Sequence, residues 1–374
     1  MTLAPSLFLK CFCALIFVPF SSVSSGANGT ETAEERVARL KRELMEAEAA
    51  AEAKSSPSGK SPSGGEIPVG ALVIVEAKEG GGGSGFIAEM KGRKFFVTNI
   101  HVLAAARGAM LWTVDGQELQ LPDIAFLSKK RDLAIVPLNW TGNALMISNS
   151  LAFDDVSIGD RITVMGNSDG AGVATKLRGD VDGIGPEEIE ISAKFVPGNS
   201  GSPIVHDKLG KVIGIVSYMK DLSQKDKWTE DSELSDIRRF GFRLDGEIEW
   251  HRISLEDLYE QGELFANFEE RTYLLARTIY MLKNKRTIMT GYASHDSLGY
   301  LFEPFGENFS WRRGLASANN IRKLDDFVDG LERELISDRS STKKALKVNY
   351  FKERFEQVDS LRDYSQGELK QVSF

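Results

Sequence analysis

Between about Glu66 and His251 the apolar residues come in short runs, separated every few positions by Gly, Asp and other turn formers. The runs Ala71–Val75, Ser84–Met90, Lys94–Thr98, Met110–Val114, Leu133–Leu138, Arg161–Met165, Glu188–Ser192, Lys211–Tyr218 and Phe240–Leu244 predict strands. No helical stretch intervenes among them, so the pattern points to an all-β sandwich or barrel rather than a parallel βαβ sheet. After His251 the period becomes helical. Ser254 and Asp257 have capping-box spacing at the head of Leu255–Phe268, and Leu275, Ile279 and Leu282 mark a second segment. Leu324, Phe327, Val328, Leu331 and Leu335 mark a third, and Leu346, Tyr350, Phe351, Phe355 and Val358 a fourth, whereas residues 286–318 follow neither period. Near the start, Val37, Leu40, Leu44, Ala47 and Ala51 recur at steps of three and four, and residues 55–65 are Ser, Gly, Pro and Lys. That predicts a short amphipathic helix and a flexible linker within 26–65.

The composition fits a folded protein: 374 residues, 42% hydrophobic and 27% charged. A net charge of −8 argues against nucleic acid as a partner. The apolar stretch around Cys11 and Cys13, followed by Ser21–Ser25, reads as a signal peptide over residues 1–25. It is too short to span a membrane. Its removal would leave no cysteine, so neither a disulfide nor a thiolate site is expected in the exported, periplasmic or secreted, chain. Metal and cofactor signatures are missing as well: there is no His-Glu-x-x-His, no paired Cys-x-x-Cys and no phosphate loop. No cofactor and no metal is expected.

Four histidines occur, and His101 stands apart because it ends an apolar strand in Thr98-Asn99-Ile100-His101-Val102. Asp132 opens Asp132-Leu133-Ala134-Ile135-Val136, and Ser200 lies in Gly198-Asn199-Ser200-Gly201-Ser202-Pro203. Each residue alone has a structural explanation. Together they offer a nucleophile, a base for its proton and a carboxylate to orient that base. Gly198 allows the bend that lets its own N–H and that of Ser200 converge on a developing oxyanion.

With Gly83-Ser84-Gly85-Phe86, these blocks resemble those of trypsin-like, chymotrypsin-fold serine peptidases. The bacterial branch of HtrA/DegP-like and glutamyl-endopeptidase-like enzymes is the most similar. The resemblance implies two six-stranded antiparallel barrels over 66–251 with the site between them, followed here by a mainly helical C-terminal domain, 252–374. It implies His101 as general base and acid, Asp132 as its partner, Ser200 as nucleophile, and the N–H groups of Gly198 and Ser200 as the oxyanion hole. Lys194 and Phe195 fall where the family places the floor of its specificity pocket, and Ser217 and Tyr218 fall on the strand beside it. His206 reads as a surface residue at a strand end.

Three departures from the family pattern matter. Asn199 cannot form the ion pair that single-cut activation of digestive members requires. Ser202 replaces the more usual glycine. A helical pattern over 252–374 stands where HtrA-like proteins carry a PDZ domain. The α/β-hydrolase alternative fails because position 202 is Ser and Pro203-Ile204-Val205 reads as strand rather than helix. The expected function is therefore a serine endopeptidase acting on proteins or peptides. The alternative is a catalytically silent module of the same fold whose helical part engages a protein partner. Self-association through 32–54 or the helical domain is compatible with the pattern.

Overall fold

Two sets of mainly antiparallel strands and a layer of helices make up the described part of the computed structural model, which comprises residues 67–77, 82–148, 155–221, 237–284, 288–289, 308–309 and 318–372. The expected signal peptide, N-terminal helix and linker lie outside these residues.

The first set contains β1 (Leu72–Glu76), β2 (Gly82–Met90), β3 (Arg93–Thr98), β4 (Met110–Thr113), β5 (Ile124–Ser128), β6 (Ala134–Leu138) and β7 (Leu145–Met146), with the short helix α1 (Ile100–Ala104) after β3. The second contains β8 (Arg161–Asn167), β9 (Ala174–Ile184), β10 (Glu188–Ile191), β11 (Pro203–His206), β12 (Lys211–Asp221) and β13 (Ile237–Arg243). The chain then returns to the first set as β14 (Trp250–Ser254), which pairs with β5 along its whole length.

Only the second set closes into a six-stranded barrel, β10-β13-β12-β11-β8-β9. The first is an open eight-stranded sheet, ordered β14-β5-β6-β3-β2-β1-β4 with β7 on β2. The expectation of two closed barrels thus holds for one. Strand β5 has β6 on one side and β14 on the other, so no edge is left for β4 to close on.

Both faces of the open sheet are covered. Leu72, Phe86, Ala88, Val97 and Ile135 share a core with Met165, Val205, Val212 and Ile215 of the barrel. Their neighbours in the strands, Val73, Val75, Ile87, Phe96 and Val136, share another with the helices. A sheet buried on both faces reads as nearly continuous apolar runs, which is how β1, β3 and β6 read.

Ser254 caps helix α2 (Leu255–Lys283), its hydroxyl accepting the Asp257 N–H at 3.1 Å. The two helical segments expected here are one helix of 29 residues. The polar stretch between them contains neither Gly nor Pro, and Thr272 turns inward to donate to the Phe268 carbonyl at 2.7 Å. Helices α3 (Ala318–Ile336), α4 (Arg339–Ala345) and α5 (Asn349–Leu369) follow. The first half of α2 and the first half of α5 pack on the sheet, with Phe265 stacked on Phe351 at 5.5 Å and Phe268 on Phe355 at 4.6 Å. The second half of α2 packs on α3 through Leu275, Ile279, Leu282, Phe327, Leu331 and Leu335. Arg362 is fully buried among these helices. It donates to Thr272 Oγ1 and to the Ser337 carbonyl, each at 2.7 Å, and lies 4.0 Å over the Phe268 ring.

Candidate active site

Helix α1 is a single turn, anchored by the buried side chains of Ile100, Leu103 and Ala104, and it leaves His101 facing a cleft. Asn99, just before it, is buried and donates through Nδ2 to the Asp132 carbonyl at 2.7 Å, tying α1 to the turn that enters β6. His101 Nδ1 lies 2.6 Å from Asp132 Oδ2, and the His101 backbone N–H donates to Oδ1 at 3.3 Å. An ionised carboxylate can only accept, so Nδ1 carries a proton, and in the neutral ring Nε2 is the acceptor. Burial pushes the Asp132 carboxyl up, but the attraction and hydrogen bonds of His101 outweigh this and hold it below the ordinary aspartate range.

Ser200 belongs to the loop between β10 and β11, where Gly198 and Gly201 have φ of 90° and 89°. A Cβ at Gly198 would come 2.3 Å from the Asn167 carbonyl oxygen, and one at Gly201 would meet the Ser84 carbonyl oxygen. Only glycine serves at either place. The Pro197 carbonyl accepts from the Asp169 N–H at 2.7 Å and the Asn199 carbonyl from the Ser202 N–H at 2.9 Å. Carbonyl and N–H point oppositely across a trans peptide, so the Gly198 and Ser200 N–H groups are turned away from these bonds. Neither has a hydrogen-bond partner among the described residues.

Ser217 joins the two halves of the site. Its hydroxyl donates to Asp132 Oδ2 at 3.1 Å, and its carbonyl accepts from Ser200 Oγ at 3.3 Å. Among the described residues Ser200 makes no hydrogen bond to His101.

A family model described as a trypsin-like peptidase domain matches residues 83–215, which span all of these groups except Ser217. Residues 83–215 are thus similar to a trypsin-like peptidase domain. HhoA of Synechocystis sp., described as a serine protease, is 29% identical over 152 residues, or 37% of this chain and 37% of that protein. Among solved structures, the HtrA-type protease AlgW with a tripeptide is 24% identical, covering 48% of this chain and 57% of that one at a TM-score of 0.36. A serine endoprotease from Yersinia pestis is 23% identical, covering 50% and 63% at a TM-score of 0.37. These matches span only part of each relative's length.

Beside His101 lies a cavity of about 700 Å³ whose lining includes Asp132, Ser217 and Tyr218 but not Ser200. The Tyr218 hydroxyl donates to Glu188 Oε1 at 2.9 Å and its ring stacks on Phe240 at 5.0 Å, while burial and the Glu188 carboxylate push its phenol well up. Lys194 and Phe195, expected to floor a specificity pocket, do not line this cavity. Lys194 is exposed, and Phe195 is 2% exposed in the barrel core. Alternation along an extended segment turns one side chain out and the next in, and here the inward one meets the barrel interior. His206 is not a surface residue but 2% exposed, accepting the Leu209 N–H at Nδ1 and facing Asp160 from Nε2 at 3.1 Å.

Ser84 is a positioning residue that the sequence reading left without a role. Its N–H donates to the Ser200 carbonyl and its hydroxyl to the Gly198 carbonyl, while the hydroxyl also accepts the Asn167 N–H, each at 2.8 Å. The signal lay in its flanks: a Cβ at Gly83 would strike Val102 and one at Gly85 would strike Phe96, so β2 must run close beneath the site.

Proposed function

We propose that the protein is a serine endopeptidase acting through His101, Asp132 and Ser200, with residues 66–251 as its protease domain and 252–374 as a helical domain. The observation that carries this reading is the chain of contacts from His101 Nδ1 to Asp132, from Asp132 to Ser217 and from Ser217 to Ser200, beside two backbone N–H groups that have no partner among the described residues. Ser200 Oγ leaves the Ser217 carbonyl and attacks the scissile carbonyl carbon while its proton passes to His101 Nε2. The carbonyl π pair moves onto oxygen and is held by the Gly198 and Ser200 N–H groups. Collapse breaks the C–N bond, the amine takes the proton from His101, and an acyl-serine remains. Water then gives its proton to His101, attacks the acyl carbon and releases Ser200, which recovers that proton. No cofactor takes part, the substrate is a protein or peptide, and the enzyme works after export.

The test is labelling of Ser200 by a fluorophosphonate, with Ser200→Ala and His101→Ala beside the unaltered chain. Labelling is expected in the unaltered chain, none in Ser200→Ala, and a rate lower by about 10³-fold or more in His101→Ala. Folded protein that does not label is the silent module instead.

A further inference from the structure

The cavity beside His101 is not built by the two strand sets alone. Tyr350, Glu353, Arg354 and Gln357 of α5 line it together with His101, Asp132 and Ser217. Their spacing of three, four and seven puts them on one face of the helix. Phe351, Phe355 and Val358 alternate with them and are buried in the core shared with the open sheet. Those contacts fix the helix, so the adjoining face is presented to the cleft as a rigid surface. Arg354 is itself held: its guanidinium lies 5.4 Å from the centre of the Tyr350 ring, with Nη2 3.6 Å from Glu269 Oε1 on α2. Its charge reaches Asp132, where it is one of the attractions that favour the ionised carboxyl.

We propose that this face of α5 is a wall of the peptide-binding cleft, and that Glu353 and Arg354 set the charge preference for substrate side chains lying on the His101 side of the scissile bond. The proposal rests on the serine peptidase reading. A helix that only covered the sheet would have no reason to aim an anchored cation, an aromatic ring and a free-standing carboxylate at the space beside the base. An extended peptide engaged by His101 and Ser200 must pass along that space.

The experiment uses the full chain and matched fluorogenic peptides that differ only in Asp, Asn or Lys at positions flanking the cleaved bond. The readout is the kcat/KM ratio of acidic to basic peptides. Arg354→Gln is expected to lower that ratio and Glu353→Gln to raise it, each by about threefold for removal of one solvent-screened charge. Effects of opposite sign from adjacent residues do not arise from a general loss of stability. Glu353 is exposed, so its substitution supplies an arm that does not depend on folding of the Arg354 variant. Fluorophosphonate labelling of the unaltered chain is run in parallel, and its failure would sink the peptidase reading itself. Labelling together with ratios that stay level, or move in the same direction in both variants, would overturn the role of α5.

Discussion

The barrel β8–β13 encloses Ile162, Val164, Ile189, Ile204, Ile213 and Val216 between strands that pair all the way round. The sheet β1–β7 with β14 does not close, and it covers one face with Leu258, Phe265, Phe268, Phe351 and Phe355 from the helices. Closure satisfies every strand edge within the barrel, whereas an open sheet needs another layer to bury its second face. The consequence for the site is uneven. Ser200 and its loop stand on the closed barrel, tied to β2 through Ser84, while His101 and Asp132 stand on the sheet that depends on the helices. A helix that began as a structural cover is thereby brought to the cleft on the histidine side.

The largest expected effect comes from removing that cover. A chain ending at Ser254 loses four buried phenylalanines from the sheet core, each worth about 3–5 kcal/mol against a total stability of about 5–15 kcal/mol. Hydrogen exchange should find the amides of β1–β6 unprotected, and those of β8–β13 less affected. Equal protection of both sets in the shortened chain would break the comparison.

A smaller effect, on the barrel side, is expected for Gly198→Ala. The φ of 90° and the 2.3 Å approach to the Asn167 carbonyl force the loop to move, and with it the two N–H donors. Fluorophosphonate labelling should slow by about 10²–10³-fold while exchange in β1–β6 stays unchanged. An unaltered labelling rate would show that these donors do not serve the reaction.

The smallest effect is on stability against pH. The Asp132 carboxyl sits below its unfolded value, so its bonds to His101 and Ser217 stabilise the fold above pH about 4 and are lost as the pH falls through the folded value. Asp132→Asn should be less stable than the unaltered chain at pH 6, with the gap narrowing below pH about 4 in denaturant titrations. A gap that is constant over this range would mean the carboxylate adds nothing as an ion.

Much of the fold was legible because its strands are buried on both faces or broken by glycines. Strand β9 was not, since Thr175, Lys176, Arg178, Asp180 and Asp182 give it the texture of a loop and its pairing with β8 is decided from outside. Strand β14 escaped for a related reason: Trp250–Ser254 straddles the switch from strand to helix periodicity and is a strand only because β5 offers an edge. Arg362 drew no notice in the sequence, because only the Ser337 carbonyl just past α3 and the ring of Phe268, brought in by other helices, bury it completely.

The sequence by itself determined the residue types at the proposed site, because a loop with positive φ needs Gly198 and Gly201 and the proposed base needs a carboxylate beside it. It also determined the helical texture after His251, because a 3.6-residue period is a local property. Which sheet closed, which residue of the pair Lys194 and Phe195 faced inward, and which helix reached the cleft were decided only by the tertiary structure. Those outcomes depend on edges and faces contributed by segments distant in the sequence, and no local pattern records them.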